Sequence, residues 1–149
     1  MIDLDTGRIV IQPDNVVISP KMSEEDFRML PFRMERIIDR YQVNYRKHLD
    51  VLYRFTAQDL EGNEFCIWVS YKRPPDAKVS HLEYVSLSHC PKQKSKSNVL
   101  NDFEKMDVWH KNWMKKHFGK STRIEKSWGF VEAIIELKSP SAEIFISFN

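Results

Sequence analysis

Glycine is scarce in this chain. There are four in 149 residues, at Gly7, Gly62, Gly119 and Gly129, and no two lie close together. Loops that cradle phosphates need clustered glycines, because a backbone without Cβ atoms can approach the phosphate oxygens. That spacing excludes a P-loop and a dinucleotide fingerprint. Cysteine is scarcer still. Cys66 and Cys90 stand 24 positions apart with no second thiol near either, so there is neither a thiol-based metal pattern nor a disulfide framework. Two lone thiols suit a reducing compartment. No apolar run approaches the ~18 residues of a membrane span. The opening "MIDLDTGRIVIQ" also lacks the basic start and long apolar stretch of a secretory signal. The expectation is a cytoplasmic protein with an intact N-terminus, no membrane segment, no cofactor and no metal.

What is present describes an ordinary folded domain. Hydrophobic residues make up 42% and charged residues 30%, close to the average for soluble domains, and aromatics at 12% can fill a core. A chain of this length forms a single domain, 1–149, that buries roughly two-thirds of the surface its unfolded form exposes. Net charge is only +2, but it is unevenly spread. Between Pro91 and Lys126 there are ten Lys or Arg and four Asp or Glu, a local excess of +6, which leaves −4 for the remainder. The stretch suits an acidic protein surface or a phosphate backbone. A pI near 8.5 falls short of the usual nucleic-acid footprint, so the acidic protein is preferred and no nucleic-acid partner is expected.

Along the chain, "RIVIQPDNVVISP" reads as two short strands around a turn at Gln12 to Asn15. Ser23 caps a short helix, "SEEDFRML", whose first-turn acids suit the positive helix end. From Arg33 to Asp50 the pattern is ambiguous. Met34, Ile37, Ile38, Tyr41 and Tyr45 follow helical spacing while "YQVNY" alternates, and the expectation is a helical turn or two passing into an extended stretch.

Strands follow at "VLYRFTA", "EFCIWVSY" and "VSHLEYVSLSH", with a turn at Gly62-Asn63 and a slip in alternation between Tyr84 and Val85 that suggests a bulge. The longest helix runs from about 98 to 118, capped by Asn98 and stopped by Gly119. Two strands, Trp128 to Leu137 and Glu143 to Phe148, close the chain. The predicted fold class is α+β: a mostly antiparallel β-meander sheet with one principal helix packed on it and a short N-terminal helix.

Candidate chemistry is thin. On the long helix, Val99, Phe103, Met106, His110, Trp113, Met114 and His117 share one side, and Lys105, Lys111, Asn112, Lys115 and Lys116 fall away from it. His110 thus sits in an apolar stripe. It reads either as a general base oriented by Asp107 or as a boundary histidine hydrogen-bonded to the sheet. The second is preferred, because no nucleophile or second acid accompanies it. His110 and His117 are seven apart, too far along a helix to share one ion. His89 and Cys90 are adjacent on a strand and point to opposite faces, so they cannot readily exchange a proton. Trp68 lies opposite the Ile67 face, where it packs beneath the helix or anchors a partner. Gly129 lets Trp128 fold over a neighbour.

A resemblance adds to these readings. The runs "DLDTGRIVI", "ISPKMSEEDF", "EFCIWVSY", "LEYVSLS" and "WMKKHFGK", with the close "SWGFVEAIIELKSPSAEIFISF", resemble a group of small bacterial cytoplasmic proteins. Many of these are encoded near polymorphic or contact-dependent inhibition toxins and are regarded as candidate immunity proteins. The most specific pieces are Asp5-Thr6-Gly7, Ile18-Ser19-Pro20, Trp113 with Gly119, and Ser127-Trp128-Gly129. The last turn departs from the pattern, with Leu137-Lys138-Ser139-Pro140 in place of an Asp-x-Lys-Ser-Gly-like run.

The resemblance implies a non-enzymatic protein whose partner is a cognate protein toxin, and it carries over no catalytic residue. The partner-binding residues expected are Lys92, Lys94 and Lys96 in the loop, Lys111, Lys115 and Lys116 on the helix, and Trp68. The alternatives are a small enzyme built on His110 and a nucleic-acid binder using the basic 92–126 region.

Overall fold

The computed structural model describes residues 2–38, 49–73, 78–90, 99–138 and 140–149. Strands β1 (Ile9–Ile11) and β2 (Val16–Ile18) form a two-stranded hairpin, and α1 (Glu24–Arg28) follows. The main sheet comprises β3 (Glu35–Ile38), β4 (Leu49–Gln58), β5 (Glu64–Arg73), β6 (His81–His89), β7 (Ile124–Lys126), β8 (Gly129–Glu136) and β9 (Ser141–Phe148). Helix α2 (Val99–Phe118) lies between β6 and β7 in the chain. The strand order is β3-β4-β5-β6-β9-β8-β7, antiparallel throughout. Two meanders, β3 to β6 and β7 to β9, are thus joined edge to edge by β6 and β9, and α2 carries the chain to the far edge. The α+β class holds.

Alternation decides which face of the sheet is filled. Val51, Tyr53, Phe55 and Ala57 on β4 are buried, as are Phe65, Ile67, Val69 and Tyr71 on β5, and Ile144, Ile146 and Phe148 on β9. Every described element outside the sheet packs on this side. Phe27 of α1 has no exposed surface and sets its ring against Tyr53, Phe55 and Tyr71. Ile9 and Ile11 of the hairpin line a small apolar cavity with Phe65, Ile67, Leu87 and Trp113. Trp109 and Trp113 of α2 meet Phe65 edge-on.

Local signals shape the ends of the elements. The Ser23 hydroxyl accepts the Asp26 N–H at 3.0 Å, satisfying a donor that the short helix leaves open. Gly119 ends α2 with φ +74°, a conformation that costs other residues a Cβ clash. Trp128 folds over Gly7, where a Cβ would sit 2.6 Å from the indole, and its Nε1 donates to the Leu4 carbonyl at 2.8 Å. This contact pins the start of the chain to the C-terminal hairpin.

Four expectations change. Glu35–Ile38 is a strand rather than a helical turn, because pairing with β4 gives its backbone a ladder that helical spacing cannot offset; residues 39–48 lie outside the described ones. The register shift falls one residue earlier, opposite Ser70 and Tyr71, with Glu83 as the extra residue. Phe103 is half-buried rather than seated in the core. Trp68 is not beneath α2: its strand neighbours Ile67 and Val69 face the helix side, so its own ring stands on the opposite face. The Asn98 cap lies outside the described residues.

Candidate functional site

His110 is fully buried on α2, and its Nε2 accepts the backbone N–H of His89 at 3.0 Å. That bond completes the end of β6, where the ladder partner runs out, so the histidine serves the sheet. Burial pushes its pKa down to about 4, with the neighbouring His89 adding to the effect. Asp107 does not orient it, because the carboxylate is engaged at 2.7 Å by Lys111 one turn on. The His89 ring stacks on Trp109 at 3.7 Å, which holds it flat against the helix. Cys66 and Cys90 have thiols pushed up by burial, away from the reactive thiolate form. Among the described residues no three His, Cys, Asp or Glu group as a metal site.

A polar junction that the sequence reading missed sits at the other end of the helix. Asp59, buried in the β4–β5 turn, accepts the Glu61 and Asn63 N–H groups at 2.9 Å through Oδ1. Its Oδ2 accepts Asn63 Nδ2 at 2.8 Å and Trp113 Nε1 at 3.0 Å. Burial alone would raise its pKa, but these bonds hold the carboxyl below its ordinary value. The available signal was an Asp opening a Gly62-Asn63 turn, which marks a local bond. Its reach to a helix 54 residues on had no local signature.

The expected basic contact set divides. Lys111 pairs with Asp107, and Lys116 pairs with Glu61 at 2.5 Å, so both are partly neutralised. Lys115 is exposed. Lys92, Lys94 and Lys96 lie outside the described residues. Trp68 belongs to the other face of the sheet, so it forms no common patch with the helix lysines.

That other face has its own organisation. Strand register aligns Arg54, Trp68, Ser86, Phe145 and Glu132 in one row across β4, β5, β6, β9 and β8. The next row holds Leu52, Ser70, Tyr84, Ser147, Phe130 and, on β7, Glu125. Tyr84 and Phe145 pack at 4.9 Å, and Phe130 lies 6.1 Å from Phe145. The Arg54 guanidinium sits over Trp68 and that of Arg123 over Phe130, at 5.4 and 3.5 Å. Arg54 also pairs with Glu35, and the Ser86 hydroxyl with Glu143. No described element covers these rows.

No family model matches the chain, and no curated protein matches it by sequence. In three dimensions it is similar to a chain in the structure of "Rhs1-CT in complex with cognate immunity protein RhsI1", with a TM-score of 0.58 over 99% of this chain and 86% of that one. Sequence identity is 10%, so the likeness is one of fold. It agrees with the resemblance to polymorphic-toxin immunity proteins drawn from the sequence motifs. Among the described residues, no helix is long and apolar enough to cross a membrane.

Proposed function

We propose that this protein is an immunity protein that binds a cognate bacterial toxin in the cytoplasm and neutralises it by occlusion, without chemistry of its own. The observation that carries the reading is the likeness of fold, over nearly the whole chain, to a chain of a toxin–immunity complex. The state of His110 supports it: a buried imidazole bonded to the sheet has no access to a substrate. Such a protein works through shape and charge alone, so affinity resides in exposed anchors.

A nucleic-acid role gains nothing from the helix, where two of the three expected lysines are engaged by carboxylates. Lys115 remains available for a toxin contact. The test is to read the genes beside this one for a toxin domain and to co-express that domain with this chain. The expected outcome is restored growth and a stable one-to-one complex on size exclusion. Growth arrest undiminished by a well-expressed, folded protein would overturn the reading.

A further inference from the structure

We infer that the face of the seven-stranded sheet that no described element covers is the partner-binding surface, and that it takes an arginine- and lysine-rich protein surface. The inference rests on the immunity reading and assigns to it a place and a partner chemistry. The helix lysines alone would have suggested an acidic partner on the opposite side.

The first support is construction. Half-buried Trp68, Phe145, Tyr84 and Phe130 stand on four adjacent strands, and Ser70, Ser86 and Ser147 occupy the positions between them. Ser70 and Ser86 are buried beneath the rings, with their hydroxyls held by Glu83 and Glu143, so the four rings rather than the serines form the outer surface. Aromatic anchors of this kind dominate binding energy, because they bury area at small entropic cost. An outer sheet face with no interaction role more commonly carries Thr, Lys and Glu.

The second support is charge. Glu83, Glu125, Glu132, Glu136 and Glu143 belong to this face, answered by Lys72 and Arg123, while Glu35 and Arg54 cancel as a pair. Among the described residues, these five carboxylates against two cations give the face an acidic potential, although the chain as a whole is basic. A phosphate backbone meets repulsion here, whereas a cationic protein surface meets complementarity.

The third support is the affinity of the rings for guanidinium. Two of the four aromatics already carry one from this chain. The Tyr84–Phe145 pair lies between them, with Glu132 beside Phe145 in register and Glu143 two residues before it on the same strand. An incoming Arg beside Phe145 meets an aromatic ring and the carboxylate of Glu132 together. Size is adequate. Five strands at ~4.8 Å spacing and about eight residues at ~3.3 Å rise cover roughly 600 Å² before side-chain relief, near the ~800 Å² that one partner usually contributes.

Two measurements on the full chain test this. In the first, isotope-labelled protein is titrated with a hexa-arginine peptide and, separately, with hexaglutamate. Amide shifts are expected on β5, β6, β8 and β9 with the first peptide and none with the second. Shifts confined to α2, or none with hexa-arginine, overturn the assignment without touching the immunity reading. In the second, binding to the neighbouring-gene toxin domain is measured for Tyr84→Ala, for Phe145→Ala, for Glu132→Lys with Glu136→Lys, and for Lys115→Glu. Melting profiles confirm that each variant is folded. The open-face variants are expected to lose at least 50-fold in affinity, and Lys115→Glu less than threefold. Wild-type binding that open-face variants retain while Lys115→Glu loses it overturns the surface but leaves the immunity role. Absence of wild-type binding overturns both.

Discussion

The two faces of the same sheet are built from the same strands yet do opposite things. On one, Tyr53, Ile67, Val69, Ile144 and Ile146 are sealed under two helices and a hairpin. On the other, one residue along each strand, Arg54, Trp68, Ser86 and Phe145 stand in a row that no described element covers. Both faces contain aromatics, so hydrophobicity alone does not separate them. What differs is how polar groups are settled. On the sealed side each hydroxyl is committed internally: Tyr53 donates to Glu24 at 2.6 Å, and Tyr71 to the Met22 and Ser23 carbonyls at 3.2 and 3.3 Å. The open side also holds Ser70 and Ser86 internally, through Glu83 and Glu143, but adds exposed rim charges such as Glu125 and Glu136. Stability therefore resides on the first face, and recognition is proposed for the second.

The largest test of that division is Phe27→Ala. This ring is completely buried against three aromatics, so its removal is expected to cost about 3–5 kcal/mol in urea unfolding. Phe145→Ala is the matched open-face change. The comparison breaks if the two cost the same.

Acid should act through the sealed face next. His110 has a pKa near 4 when folded and an ordinary one near 6.5 when unfolded. Between those values the unfolded chain binds the proton and the folded chain does not. Stability is therefore full above about pH 6.5, declines as pH falls through the window, and levels off below about 4. The expected loss is on the order of 3 kcal/mol. His89, lowered by burial, adds to it in the same direction. His110→Gln, which keeps an acceptor for the His89 N–H, should flatten the pH profile without removing the fold. An unchanged slope in that variant would place the titration elsewhere.

Asp59→Ala comes third. It strips four donors of their acceptor, including the indole N–H of Trp113, and should cost about 2–3 kcal/mol. Restoring the bonds with Asp59→Asn should recover part of that, since the amide oxygen still accepts. Equal losses for both variants would show that charge rather than hydrogen bonding holds the junction.

The smallest expected change is on the open face. Phe145→Ala and Tyr84→Ala should each cost about 1 kcal/mol or less, since both rings are half-buried and lie against one another at the sheet surface. A double-mutant cycle sharpens this: coupling of the two should appear in stability at the level of one aromatic pair.

Much of this was written locally. Alternation marked β4, β5, β8 and β9 and sorted their residues into two faces. Ser23 and Gly119 announced helix ends, because a hydroxyl acceptor and a positive φ are needs of a few adjacent residues. The bond from His110 to the sheet also followed from its place in an apolar stripe. Other features depended on partners distant in the chain. Glu35–Ile38 became a strand only because β4 offered it an edge. Asp59 found Trp113, and Trp128 found Gly7, across gaps that leave no periodic trace. The helix amphipathicity put Phe103 inside, yet only the seating of α2 over the sheet set how far that ring was covered.

Local chemistry thus determined which segments are strands and helices, and which side of each is apolar, since both follow from backbone geometry and side-chain period. Which strand lies beside which, that β9 rather than β7 joins β6, and which face of the finished sheet stays open were decided only in the tertiary structure. Those outcomes depend on how edges and apolar faces far apart in the chain cover one another, and an apolar residue reads the same in sequence whether a helix or a partner protein comes to cover it.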